Sequence, residues 1–202
     1  MRSRPTVATA SPSDPAGVAG LVLGLAAARP PTLGSGRLVC VDGPAGSGKT
    51  TLAAALASAR PDATVLHMDD LYDGWSGLAA GIAQLEGLLT EHAAGRPGQV
   101  RRYDWHAGRY AETVHLDPVR LLVVEGVGAG AVGHADLTGV LAWVVAPDDT
   151  RLQRGLERDG PAVESHWRRW LTTEARHFAE DRTAERADLI VDGLGLAAPV
   201  VR

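Results

Sequence analysis

The sequence predicts an α/β fold in which a five-stranded parallel β-sheet is covered by helices on both faces. Three observations support this prediction. Short, continuously apolar runs alternate along the chain with segments of helical periodicity. The first apolar run leads directly into a glycine-rich segment and then into a helical pattern. The chain of 202 residues suits one domain with a full core, and 45% of its residues are hydrophobic.

The chain divides into a short polar start and one domain. We expect a disordered N-terminus over residues 1–15, which are rich in Ser, Pro and Thr, and a single domain over residues 16–202. The predicted strands share unbroken apolar stretches, typical of strands buried on both faces; they are 37–42, 64–67, 120–124, 140–146 and 188–191. The predicted helices share helix-forming composition or periodicity; they are 15–29, 49–59, 77–94, 149–159 and 164–179. Strands alternating with helices predict a three-layer sandwich.

Composition excludes several functional classes. The net charge of −4 gives no electrostatic reason to expect a nucleic acid or an anionic membrane as partner. The single cysteine, Cys40, cannot form an internal disulfide, and it excludes a zinc site built from cysteines. The apolar stretch at residues 17–28 is too short to span a bilayer. We therefore expect a cytoplasmic protein that binds neither nucleic acid nor membrane; homo-oligomer formation stays open.

The glycine-rich segment matches the phosphate-binding P-loop pattern G-x-x-x-x-G-K-[ST] without a gap. Its glycines let backbone N–H groups face phosphate oxygens, and the helix that follows presents the positive end of its dipole. Lys49 adds a cation at the phosphates, and it is the single lysine of a chain with 19 arginines. We therefore predict ATP and Mg²⁺ as cofactors. The predicted nucleotide-binding residues are Gly43, Pro44, Ala45, Gly46, Ser47, Gly48, Lys49, Thr50 and Thr51.

Acidic residues end or follow the first three predicted strands, at the edge where parallel sheets bind ligands. Glu125 has the form of a Walker B acid, so Thr50 and Glu125 are the predicted Mg²⁺ ligands; a solvated strand-end acid is the alternative. Asp69 is the predicted catalytic base. Asp70 is its rival, because adjacent residues of an extended segment face opposite ways, and one of the two can serve as a helix N-cap. Asp42 can orient the loop.

Aromatic residues cluster in one polar stretch. Tyr103, Trp105 and Tyr110, three of the nine aromatic residues, lie within eight positions. Flat rings beside polar groups suit a base or another flat acceptor, and packing within an ordinary loop is a close alternative. Trp167 and Trp170, one helical turn apart, are predicted to be core residues.

Together these motifs resemble those of the uridine kinase group of P-loop nucleoside kinases, over residues 38–192. The Met-Asp-Asp-Leu-Tyr segment at 68–72 resembles the one that supplies that family's catalytic Asp, and Glu125-Gly126 resembles its Glu-Gly. The chain departs from the family at Gly155, where another arginine is usual. The resemblance implies a P-loop NTPase fold with a short lid that carries Arg154 and Arg158. It also implies an acceptor site formed by Tyr72, Tyr103, Asp104, His106 and Arg109.

The predicted function is an ATP-dependent kinase that transfers the γ-phosphate to a small hydroxyl acceptor, with a nucleoside such as uridine favoured. Lys49, Arg154 and Arg158 would neutralise the transferring phosphoryl group, and Asp69 would take the hydroxyl proton. The alternatives are a P-loop kinase of an antibiotic, sugar or secondary metabolite, and an acceptor-independent ATPase or nucleotide-binding module. A switch GTPase is excluded: its guanine-reading Asn-Lys-x-Asp motif cannot occur in a chain without Asn.

Overall fold

A computed structural model describes residues 13–202 of the chain. Eight strands are present in this part, and in chain order they are β1 (Arg37–Asp42), β2 (Thr64–His67), β3 (Gly98–Asp104), β4 (Arg109–Leu116), β5 (Leu121–Glu125), β6 (Val140–Val145), β7 (Leu189–Asp192) and β8 (Val200–Val201). The α-helices of the same part are α1 (Pro15–Ala28), α2 (Lys49–Ala59), α3 (Leu78–Ala93), α4 (Asp148–Asp159), α5 (Glu164–Asp181) and α6 (Thr183–Arg186).

The central sheet has the strand order β2-β5-β1-β6-β7-β8. The first five of these strands are parallel, so the predicted five-stranded parallel sheet is confirmed. The two-residue β8 adds a sixth strand, antiparallel to β7, which the sequence analysis did not predict. Parallel pairing brings the carboxyl ends of β1, β2 and β5 to one edge, and the functional residues gather there.

Helices cover both faces of this sheet, and two separate cores result. Alternate residues of β1 point to opposite faces. Leu38 and Cys40 join the core that α3 and α5 cover, whereas Val39 and Val41 join the core under α1 and α2. Each side chain of β1 from Leu38 onward is fully buried, which explains the unbroken apolar run. The predicted three-layer architecture is therefore confirmed.

The chain forms a second, two-stranded sheet in the segment that connects α3 to β5. It is an antiparallel hairpin of β3 and β4, with an irregularity in the register between Arg102 and Tyr103. The hairpin is a departure from the sequence prediction, in which this stretch binds the acceptor and contains no strands. Alternate residues of β3 from Gly98 to Arg101 are buried and exposed, as expected for a strand with one face on the core.

The described chain begins just before α1. The Asp14 carboxylate accepts a hydrogen bond of 2.6 Å from the Gly17 amide and caps the helix, and Pro15 occupies the first helical turn. The expected disorder of residues 1–15 falls mostly on residues 1–12, which lie outside the described part. Within residues 13–202, no helix has the length and apolar character needed to cross a membrane.

Candidate active site

A cleft of about 1180 Å³ opens at the carboxyl ends of the parallel strands. The P-loop lies along it, between the residues that follow β2 and β5 and those that follow β7. Helices α4 and α5 form its outer wall. Ligands of open parallel sheets bind at this position, so the cleft is the candidate active site.

The backbone of the P-loop requires its glycines. Gly43 and Gly46 have positive φ angles of 140° and 78°, which residues other than glycine rarely adopt. A Cβ atom on Gly43 would lie 2.2 Å from the Val144 carbonyl oxygen, and one on Gly46 would lie 2.6 Å from that of Arg151. The loop thus follows a tight path that only these residues permit.

Lys49 and Ser47 present polar groups that fit a bound phosphate. The Lys49 ammonium is almost buried and donates to the carbonyl oxygens of Gly43 at 2.7 Å and Pro44 at 2.9 Å. Both partners are neutral, so they leave the charge of Lys49 free to attract an anion. The Ser47 hydroxyl is buried and has no hydrogen-bond partner within residues 13–202. Phosphate oxygens are suitable acceptors for hydrogen bonds from both groups.

Asp42 holds the base of the loop. Its fully buried carboxylate accepts hydrogen bonds from the amides of Gly43 at 2.7 Å, Gly128 at 3.1 Å and Gly130 at 2.8 Å. Burial raises the pKa of Asp42 to about 6 in spite of these bonds. Asp42 therefore has the orienting role that the sequence analysis gave it, and it also fixes the segment after β5.

The tip of the P-loop is held by a buried ion pair. The Glu174 carboxylate on α5 pairs with the Arg151 guanidinium on α4 at 2.9 Å and accepts from the Ala45 amide at 2.8 Å. Arg151 also donates to the Ala45 carbonyl oxygen at 3.3 Å. Burial raises the pKa of Glu174. This pair was not predicted. Its signal in the sequence is an acidic residue, Glu174, that continues the helical spacing of Trp167 and Trp170 on the apolar stripe of α5.

Thr50 at the start of α2 and Glu125 at the end of β5 face each other, and both carry side-chain oxygens that suit Mg²⁺. The Thr50 hydroxyl donates to Glu125 Oε1 at 3.3 Å. The same oxygen lies 2.6 Å from His67 Nδ1, and this bond raises the pKa of His67. Mg²⁺ is commonly held by one or two protein oxygens together with nucleotide phosphates, so Thr50 and Glu125 fit the predicted metal site.

Asp69 and Asp70 both line the cleft. They lie in a 3₁₀ turn, Met68–Asp70, and not on an extended segment, so the expectation that they face opposite ways is wrong. Solvent reaches Asp69 from the cleft, but the surrounding walls desolvate it and, with the charge of Glu125, raise its pKa. Lys49 and Arg158 oppose this shift. The pKa of Asp69 thus depends on the charged groups at the phosphate end of the cleft.

Helix α4 supplies both predicted lid arginines to the cleft. Arg154 donates to the Gly46 carbonyl oxygen at 3.2 Å, and Arg158 is paired with Asp159 at 2.7 Å. Gly155 between them is explained by packing, because a Cβ atom there would lie 2.4 Å from the ring of Trp167. A larger side chain at this position would require the Trp167 ring to shift.

Comparison with solved structures supports the same architecture. A Bacillus stearothermophilus protein named as a possible uridine kinase is 20% identical, with a TM-score of 0.55 over 78% of this chain and 89% of that one. A Silicibacter sp. protein named as a fructose transport system kinase is 21% identical, with a TM-score of 0.56 over 89% and 97%. D-glycerate 3-kinase from Cryptococcus neoformans var. grubii is 14% identical, with a TM-score of 0.58 over 93% and 99%.

The chain has the P-loop kinase fold. The three proteins carry different substrate names, so the likeness concerns the fold and leaves the acceptor open. Neither a protein-family profile nor the sequence of a curated protein matches the chain.

The predicted acceptor residues separate into two groups within this P-loop kinase fold. Tyr72 and His106 line the cleft, but the Tyr72 hydroxyl is buried and donates to the Val127 carbonyl oxygen at 2.8 Å. The others lie in the β3–β4 hairpin and outside the cleft lining; they are Tyr103, Asp104 and Arg109.

Asp104 has a structural role in the hairpin. Its Oδ1 accepts from the amides of His106 and Ala107, both at 2.9 Å, and so closes the hairpin turn. Arg109 faces Asp104 across the ladder, and the Tyr103 ring packs against Trp105. A short polar residue before a turn has the same signature as a ligand in the sequence, so pattern alone did not separate the two roles.

Four tryptophans line the cleft: Trp75, Trp105, Trp167 and Trp170. Of these, Trp105 belongs to the aromatic cluster for which the sequence favoured acceptor binding over packing, and the other three were not expected in the site. Trp167 and Trp170 are nearly buried, as their predicted core role requires, yet each also reaches the cleft. Trp75 was missed because it lies in a turn, far in sequence from the other three.

Proposed function

We propose that this chain is a Mg²⁺- and ATP-dependent kinase that phosphorylates a hydroxyl group of a small, uncharged molecule in the cytoplasm. A nucleoside such as uridine is the favoured acceptor. The observation that carries the proposal is the placement of Asp69 in one cleft with the P-loop and the Thr50–Glu125 pair. A phosphate-binding loop alone would serve any nucleotide-binding protein, whereas a nearby carboxylate supplies what an alcohol acceptor needs.

Each group at the phosphate end has a distinct task. ATP, when bound, supplies the phosphoryl group, and Mg²⁺ neutralises part of its charge. Lys49 and the P-loop amides hold the phosphates, while Arg154 and Arg158 add positive charge from α4. Asp69 accepts the proton of the acceptor hydroxyl. Its raised pKa makes it a stronger base than an ordinary aspartate.

A kinase of another small molecule is the second candidate, and one observation favours it. Asp104, expected to bind ribose-like hydroxyls, is used by the hairpin turn. The aromatic wall that replaces it accepts rings other than a nucleoside base. A sugar or a secondary metabolite is therefore the alternative acceptor.

An acceptor panel tests the proposal. ADP formation from Mg²⁺-ATP is measured with and without nucleosides, sugars and other alcohols. We expect turnover to depend on an acceptor and to vanish in Lys49→Ala. The matched control is Arg176→Ala, which removes an exposed cation bonded to Glu180 on α5 and should leave turnover unchanged. Turnover that is the same without any acceptor would support an ATPase instead.

A further inference from the structure

The four tryptophans of the cleft form one connected aromatic cluster, here called the Trp box: Trp75, Trp105, Trp167 and Trp170. Trp75 is its centre, and its ring centroid lies 5.5 Å from Trp105, 6.1 Å from Trp167 and 6.5 Å from Trp170. All three contacts are edge-to-face. The chain has five tryptophans, so four of the five converge on one cleft from three separate segments.

The Trp box lies on the acceptor side of the phosphate site. The Trp105 indole N–H donates to the backbone carbonyl oxygen of Asp69 at 2.9 Å, so the box is attached to the proposed base. The other end of the cleft is formed by the start of α1 and the loop after β7. Among residues 13–202 its lining there includes no aromatic residue; it consists of Ser13, Pro15, Val18, Leu194 and Gly195. That end is left for the nucleotide base, and the box is left for the acceptor.

The members of the Trp box differ in how far ligands can reach them. Trp167 and Trp170 are 2% and 5% exposed and form the floor. Trp105 is 40% exposed and Trp75 is half-buried, with the His166 ring stacked on it at 5.5 Å. Trp105 and the remaining surface of Trp75 are therefore open to a bound molecule. A large indole left exposed inside a cleft is costly for folding alone and is typical of a binding surface.

The Trp box has no charged member. Trp167 donates to Asp159 at 2.9 Å, and Asp159 is paired with Arg158, whose guanidinium lies 5.7 Å from the Trp167 ring. A carboxylate or phosphate placed among the rings would lose its hydration next to a guanidinium that is already paired. An uncharged ring loses less on entering and gains contact with the indoles.

We propose that the Trp box is the acceptor subsite, and that it holds an uncharged ring by stacking while the acceptor's hydroxyl faces Asp69. This assignment rests on the proposed kinase function. Stacking reads shape and not a hydrogen-bond pattern, so related rings should differ only about 10- to 200-fold in kcat/KM. Acceptors that are acidic and lack a ring should be rejected.

Binding and turnover are measured separately with three probes: uridine, fructose and glycerate. Binding is followed by quenching of tryptophan fluorescence, with Mg²⁺ and a non-hydrolysable ATP analogue present. We expect uridine and fructose to quench and glycerate not to quench. Trp105→Leu and Trp75→Leu should each weaken the binding of uridine about 5- to 150-fold, the scale of one lost stacking contact. Trp105→Phe, which retains a ring, should restore most of it.

Trp143→Phe is the matched control. Trp143 lies in β6, packs against Phe178 outside the cleft lining, and should contribute background fluorescence only. The subsite assignment is overturned if neither uridine nor fructose binds, or if glycerate binds more tightly than both. It is also overturned if Trp105→Leu and Trp75→Leu bind uridine with the affinity of the wild type. Ring binding that depends on the Trp box, without any phosphate transfer, would support the subsite and overturn the kinase proposal alone.

Discussion

The contact between Gly155 and Trp167 makes a quantitative prediction about α4. Gly155→Ala adds a methyl group whose ideal position lies 2.4–2.7 Å from three atoms of the Trp167 ring. That ring cannot move aside freely, because it is 2% exposed and its N–H is bonded to Asp159. Gly87→Ala on α3 is the matched control, since a Cβ atom there has no heavy-atom neighbour within 4 Å.

Both substitutions gain about 1 kcal/mol of helix propensity, so their difference isolates the steric effect. Overpacking of a filled site costs about 1–3 kcal/mol. Gly87→Ala should therefore be stabilised by about 1 kcal/mol, and Gly155→Ala should range from unchanged to about 2 kcal/mol destabilised. The predicted separation in Tm is roughly 2–12 °C for a chain of this size.

Thermal and urea unfolding followed by circular dichroism measure the two variants side by side. The Gly87→Ala control measures how much helix propensity alone stabilises this protein. If Gly155→Ala is stabilised as much as Gly87→Ala, Trp167 does not pack on Gly155 as described, and the packing explanation for this glycine fails.

Three further predictions concern the phosphate end of the cleft. Lys49→Ala should abolish most turnover in a kinetic assay while the unfolding temperature stays close to wild type, because its partners are two carbonyls of its own loop; unchanged turnover would refute its assignment to the phosphates. Glu125→Gln should raise the Mg²⁺ concentration needed for half-maximal activity, and an identical Mg²⁺ titration would leave Glu125 as a structural acid. Asp69→Asn should lower kcat roughly 100-fold or more with little change in nucleotide binding. In the wild type, kcat/KM should fall as the pH drops through the raised pKa of Asp69, because the protonated acid cannot take a proton; a fully active Asp69→Asn would shift the role to Asp70.

The sheet and the phosphate site were predictable from the sequence because each depends on local signals. An unbroken apolar run specifies a strand buried on both faces, as in β1 and β5. The P-loop needs glycines at fixed positions. Asp69 follows β2 and Glu125 ends β5, two strands whose carboxyl ends parallel pairing brings to one edge. Chain order and spacing carry this information directly.

The acceptor side was not predictable in the same way. The β3–β4 hairpin is only partly covered, so its weak alternation was overlooked, and Asp104 was interpreted as a ligand although it closes the turn. The Trp box joins residues from a turn, a hairpin and a helix, and no periodic pattern links them. Arg151 and Glu174, 23 positions apart, likewise meet only because α4 and α5 pack together.

In the proposed reaction, a phosphoryl group passes from ATP to an alcohol bound in the cleft. The most direct measurement is the identity of the phosphorus product in a single turnover, with protein in excess over [γ-³²P]ATP and with Mg²⁺ and uridine or fructose present. We expect the label to appear in a phosphomonoester of the acceptor, in step with ADP, and we expect Asp69→Asn to slow its formation. Label that appears only as inorganic phosphate, at a rate that the acceptor does not change, would refute phosphoryl transfer to an alcohol.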